Sequence, residues 1–97
     1  MRKGYFVGLF IFVFFAFSLS GCYYFSASKE IDRADKLLSE LKGAGGEKKV
    51  PYEYCSAQAF LEGSKVEFSQ GDFGPARALA ERSVSAAQAG MTEIKKK

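Results

Sequence analysis

Seven of the ten phenylalanines in this 97-residue chain lie within its first 25 positions: Phe6, Phe10, Phe12, Phe14, Phe15, Phe17 and Phe25. Only Phe60, Phe68 and Phe73 remain for the other three-quarters. Whole-chain figures of 47% hydrophobic and 15% aromatic residues therefore describe neither part. The first segment has to be read separately before a fold is assigned. About 76 residues then remain, enough for one small domain of modest stability.

Met1-Arg2-Lys3-Gly4 supplies a positive start, and Tyr5 to Phe17 is an unbroken apolar run. Its length fits the hydrophobic region of a signal peptide and falls short of the roughly 20 residues a membrane span needs. Counting Ser18 through Phe25 as well would assemble a span, so an uncleaved signal anchor is the alternative. Against it stands Leu19-Ser20-Gly21-Cys22. This tetrapeptide resembles the lipobox of bacterial lipoprotein precursors. Such a box needs a thiol to receive diacylglycerol as a thioether, small residues to let the backbone enter the peptidase, and an apolar residue for its subsite. The resemblance implies a signal peptide over 1–21, cleavage between Gly21 and Cys22, and lipidation of Cys22, including acylation of its new amino group. Each buried CH₂ contributes about 0.8 kcal/mol, so three acyl chains hold firmly where one is marginal. Tyr23 stands where Asp would favour inner-membrane retention, which implies the outer membrane, with the domain facing the periplasm.

Cleavage removes Arg2 and Lys3, leaving 12 basic against 11 acidic residues, a net +1. That balance gives no electrostatic case for nucleic acid. Export implies an oxidising compartment. Cys55 then has no partner in its own chain and reads first as a small buried hydrophobe, with an intermolecular disulfide as the second reading.

The mature part reads as all-α, because no segment sustains a period-two alternation. Residues 22–27 are expected to form a lipidated tether. The rings of Tyr23, Tyr24 and Phe25 would sit either in the membrane interface or over the end of the bundle. A helical domain over 28–97 comes next, with helices at about 28–42, 51–70 and 73–95. In the first, Ile31, Ala34, Leu38 and Leu41 mark one apolar face, Ser28 is a candidate N-cap, and Gly43 is a candidate stop. Glu47-Lys48-Lys49 completes a polar linker. The second helix opens with Pro51 in its first turn and carries Tyr54, Ala57, Leu61, Ser64 and Phe68 on one stripe, leaving Glu53 and Glu62 solvated. Gly71-Asp72-Phe73 forms the interhelix turn: Gly71 suits a left-handed C-cap and Asp72 caps the next helix. The third stripe, Ala76, Leu79, Ala80, Ser83, Val84, Ala87, Met91 and Ile94, is largely alanine, which permits close helix contact. Lys95, Lys96 and Lys97 complement the helix C-terminus. A three-helix bundle, or a helical hairpin plus one helix, is the simplest architecture.

Gln70-Gly71-Asp72-Phe73 with Ala76 and Ala80 resembles the turn and second helix of a tetratricopeptide repeat. The first-helix signature is broken: Phe60 takes the aromatic position, but Gly63, Ser64 and Glu67 depart from the pattern. Ala44-Gly45 with Val50-Pro51-Tyr52-Glu53-Tyr54, then Ala57-Gln58-Ala59-Phe60-Leu61, then Gly71-Asp72-Phe73 with Ala76-Arg77-Ala78-Leu79-Ala80-Glu81, together resemble small alanine-rich bacterial lipoproteins with a tetratricopeptide-like domain of unknown function. That resemblance covers roughly residues 43–89 and implies fold and location, but no reaction.

The chain contains no histidine, which removes the commonest acid–base group and metal ligand. Its acidic residues show no ligand-like spacing, and Gly43-Ala44-Gly45-Gly46 lacks the Lys-Ser/Thr of a phosphate loop. No catalytic residue, metal or cofactor is expected. The expected role is a lipid-anchored, non-catalytic envelope module that binds another protein or itself, or helps organise the cell envelope. The alternative is a structural link from outer membrane to peptidoglycan through the terminal lysines, since a lipid at one end and Lys95-Lys96-Lys97 at the other resembles the layout of the murein lipoprotein.

Overall fold

A computed structural model of the protein describes the backbone of residues 2–96, and the side chains of residues 7–14 and 23–96. It contains, among these residues, four helices and no strand: α1 (Arg2–Gly43), α2 (Gly46–Lys49), α3 (Pro51–Ser69) and α4 (Phe73–Lys96). The all-α expectation holds. Three long helices pack side by side: α3 runs antiparallel to α4, and α1 lies alongside, mainly against α4.

The α3–α4 connection is dictated by Gly71. Its φ of +82° lies in the left-handed region, where a side chain is penalised and glycine is not. Around it the Asp72 amide donates to the Glu67 carbonyl (2.9 Å) and the Gly71 amide to the Phe68 carbonyl (3.1 Å). These two bonds make a Schellman motif, which satisfies carbonyls that the end of α3 leaves open. The carbonyl of Asp72 accepts the Ala76 amide at 3.0 Å and starts α4. So tight a turn folds the two helices directly back on one another.

Their seam is made of small residues. Ala57 and Ser64 on α3 and Ala76, Ala80, Ser83 and Ala87 on α4 are fully buried. Ser64 Oγ donates to the carbonyl of Ala76, and Ser83 Oγ donates to the carbonyl of Ala57 at 2.7 Å. The two bonds run in opposite directions across the seam and are set seven residues apart on each helix. A serine side chain is short, so reaching a neighbouring helix's main chain requires the two backbones to lie close. Each bond contributes about 1 kcal/mol net, and among the described residues no buried hydroxyl is left without a partner.

Against this hairpin α1 presents Ala27, Ile31, Ala34 and Leu41, all buried. Two core layers result. Ile31, Ala34, Leu61, Ala80 and Val84 form the layer nearer the α3–α4 turn. Leu41, Val50, Tyr54, Ala57 and Ala87 form the other, with Met91 and Ile94 packed on it. Among the described residues Leu41 is the largest completely buried side chain, and it is flanked by two glycines. A Cβ on Gly46 would stand 2.5 Å from Leu41 Cγ, and one on Gly90 would stand 3.1 Å from both Leu41 Cδ atoms.

Several expectations need correction. The first helix does not begin at Ser28, which lies inside α1, and in the uncleaved chain residues 22–27 are part of the same helix. No Gly or Pro interrupts residues 22–42, and Ala27 extends the buried stripe by one step of four, so the helix has no reason to stop. The left-handed residue that ends α1 is Gly45, with φ +85°, while Gly43 is still helical. Glu47–Lys49 is no loose linker: the Gly45 carbonyl accepts the Lys49 amide at 2.9 Å and starts the single-turn α2. Cys55 is exposed, not buried, because it falls on the face of α3 turned away from the core. Glu53 is half-buried beside Gly90, whereas Glu62 is solvated as expected.

Candidate functional site

The heptad-like spacing that buries Ala27, Ile31, Ala34 and Leu41 also places Tyr24 one turn before Ala27, on the same face of α1. At that level α1 meets the end of α3 and the start of α4. Phe68 arrives there as the last member of the α3 stripe, and Phe73 because the Schellman turn makes it the first residue of α4. The three rings form a closed cluster. Tyr24 and Phe68 have centroids 5.1 Å apart, Tyr24 and Phe73 5.4 Å at 84°, and Phe68 and Phe73 5.2 Å at 62°. Phe25 adds an edge contact to Tyr24 at 5.8 Å. Such tilted and edge-to-face pairs are each worth about 0.5–1.5 kcal/mol beyond the area they bury.

This cluster is only half covered. Tyr23, Tyr24 and Phe25 remain 55%, 44% and 66% exposed. A shallow groove beside them is lined by Tyr23, Gly71, Phe73 and Gly74. Of the two readings for these rings, packing over the bundle end is realised by Tyr24, while the outer faces of all three stay open.

Leu19, Ser20, Gly21 and Cys22 lie in α1, and their side chains fall outside the described ones. Their place along the helix is nonetheless fixed by the backbone: Cys22 precedes Tyr24 by about 3 Å of helix rise. The candidate lipidation residue and the Gly71-Asp72-Phe73 turn, far apart in sequence, thus belong to one end of the bundle. Toward the N-terminus, Val7, Phe10, Ile11, Phe12 and Phe14 are exposed on the continuing helix. Among the described residues no helix is long and apolar enough to cross a membrane.

The opposite end gathers charge. The last turn of α1 carries Lys42, α2 carries Lys48 and Lys49, and the last turn of α4 carries Lys95 and Lys96. Between the ends the side surface carries exposed ion pairs, Arg33 with Glu30, Arg77 with Glu81, and Lys65 of α3 with Asp35 of α1 at 3.3 Å. Solvated pairs of this kind are worth about 0–1 kcal/mol and are not a site. A second shallow groove between α1 and α4 is lined by Glu30, Arg33, Glu81, Val84, Ser85 and Gln88. No group of three or more metal-ligating side chains occurs among the described residues.

The outer face of α3 is a feature that sequence reasoning missed. Tyr52, Cys55, Ala59 and Val66 share it, and Tyr52 and Val66 are 79% and 54% exposed. Their three-four-seven spacing is a signal, but it competes with the longer stripe through Tyr54 and Phe68, which takes the core.

Comparison with known proteins gave no match, whether to protein-family models, to curated proteins or to solved structures. The α3–α4 pair spans residues 51–96, longer than the about 34-residue unit of a tetratricopeptide repeat.

Proposed function

We propose that this chain is the precursor of a bacterial lipoprotein, cleaved before Cys22 and anchored by lipid on that residue in the outer membrane, facing the periplasm. The observation that carries the reading is the sequence Leu19-Ser20-Gly21-Cys22 behind a positive start and the apolar run from Tyr5 to Phe17. The described fold supports it in one respect: α1 leads from that run straight into the bundle, so the lipid-bearing residue would sit at the domain's edge. The test is metabolic labelling with palmitate in a Gram-negative host. Label in the wild-type chain and none in C22S is expected; equal label in both defeats the reading.

In this reading the mature domain is a non-catalytic module that binds an envelope protein or a second copy of itself. The exposed apolar face of α3, with Tyr52, Ala59 and Val66, is the surface that supports this, since it lies opposite the core and is left unfilled by the fold. Sedimentation of the signal-less domain separates the two cases by mass. A second reading, attachment to peptidoglycan through the C-terminal lysines, is favoured by one feature: α4 extends about 36 Å from the aromatic end to Lys96, at the pole opposite Cys22. Digestion of purified cell walls with muramidase tests it, and absence of a muropeptide-linked C-terminal peptide ends it.

A further inference from the structure

We propose that the bundle stands end-on on the membrane that holds Cys22, with the α3–α4 turn and the rings around Phe73 resting in the lipid headgroup layer. The inference rests on the lipoprotein reading and adds what that reading leaves open, namely a second, non-covalent contact with lipid and a fixed orientation of the domain.

Three observations converge on it. The first is the shortness of the link. Residues 22–27 belong to α1, and Ala27 is fully buried in the bundle. A lipid on Cys22 is therefore separated from the buried Ala27 by only four residues, a link too short to let the domain range far from its anchor. The second is position. Tyr24 lies two residues from Cys22 and touches Phe73, so the turn that begins α4 sits beside the anchored residue in space. The third is surface chemistry. Tyr23, Tyr24 and Phe25 keep much of their area open, and Gly71, Phe73 and Gly74 complete the groove beside them. Aromatic rings with a polar tip or an exposed edge favour the membrane–water boundary. Traced backwards, the same helix carries the exposed apolar side chains of Val7 to Phe14.

Charge sharpens the claim. Between Ser69 and Pro75 the single charged residue is Asp72, and there is no Lys or Arg. Attraction to anionic lipid does not hold this end down; ring burial does. Lys42, Lys48, Lys95 and Lys96 collect at the far pole, where they face away from the bilayer.

The chain has no tryptophan, so single reporters are unambiguous. The experiment uses the full lipidated chain purified from membranes, in phosphatidylcholine vesicles carrying bromine near the headgroup. F73W and Q70W report on the turn, and Y52W on the opposite pole. Flotation with vesicles is scored first; a chain that stays in solution overturns the lipoprotein reading itself. Among chains that float, the expected result is quenching of F73W and Q70W by brominated lipid at least about twofold greater than that of Y52W, unchanged by high salt. Equal quenching at all three positions means the domain lies flat, and full access of aqueous iodide to F73W and Q70W means the end stands clear of the surface. Either outcome overturns the inference while leaving the anchor intact. Gln70 is exposed and outside the ring cluster, so Q70W keeps the test open where F73W disturbs packing.

Discussion

Leu41 of α1 and Gly90 of α4 meet so closely that a methyl group on the glycine would stand 3.1 Å from both ends of the leucine side chain. Gly46 closes the other side more tightly still, at 2.5 Å from Leu41 Cγ and 2.8 Å from its carbonyl oxygen. The two glycines predict different outcomes. G46A drives a methyl into the leucine branch point and a main-chain oxygen, neither of which can turn aside. It should cost about 1–3 kcal/mol. G90A meets mainly terminal methyls and gains about 1 kcal/mol of helix propensity, so its net change should stay within that amount. Urea denaturation of the chain from residue 22 onward measures both; a larger loss in G90A than in G46A contradicts the packing described.

The serine bonds across the α3–α4 seam make a second prediction. S64A and S83A each remove a donor from a carbonyl that retains its place in the helix, and each should cost about 1 kcal/mol. The double variant should show a near-additive loss by chemical denaturation, since one heptad separates the sites and they share no partner. Valine at either position should cost more, because the fully buried seam has no room for a further methyl group.

Gly71 offers a cleaner case. A Cβ there would meet nothing within 4 Å, so substitution changes backbone conformation alone. G71A should destabilise by about 1–2 kcal/mol and G71N by less, since asparagine tolerates the left-handed region better. Thermal melts followed by circular dichroism would check the order, and a G71N domain less stable than G71A would contradict it.

Cys55 is solvent-exposed in the native fold. On the proposed lipidation of Cys22, native protein should react with one maleimide per chain, at Cys55. C55S should abolish the reaction and leave the melting temperature within a few degrees of the wild type. Two reactive thiols would show that Cys22 carries no lipid.

Much of the fold is legible in the sequence, and the lapses have physical causes. The α3 and α4 stripes stand out because Tyr54, Ala57, Leu61, Ser64 and Phe68, and then Ala76 to Ile94, keep their three-four spacing without interruption. The Gly71 turn stands out because glycine alone adopts that conformation without penalty. Residues 22–27 read as a tether only while the expected cleavage point is taken as a structural boundary; in the uncleaved chain Ala27 continues the buried stripe and the helix runs through them. Gly43 stands in for Gly45 because local sequence does not say which of several nearby glycines turns left-handed. The general habits of cysteine place Cys55 in the core, whereas its phase on α3 puts it on the outside. The aromatic cluster at the bundle end is invisible in one dimension because it joins Tyr24 to Phe68 and Phe73, which only the antiparallel return of α3 brings together.

Alanines and serines along the hairpin seam have one more effect. By drawing two main chains nearly together they fill the hairpin's centre with peptide groups, so no ligand can be swallowed there without prying the hairpin apart. Whatever this small domain recognises, it must meet on its skin, and rearranging a few outward-facing side chains could change its customers while the frame stays the same.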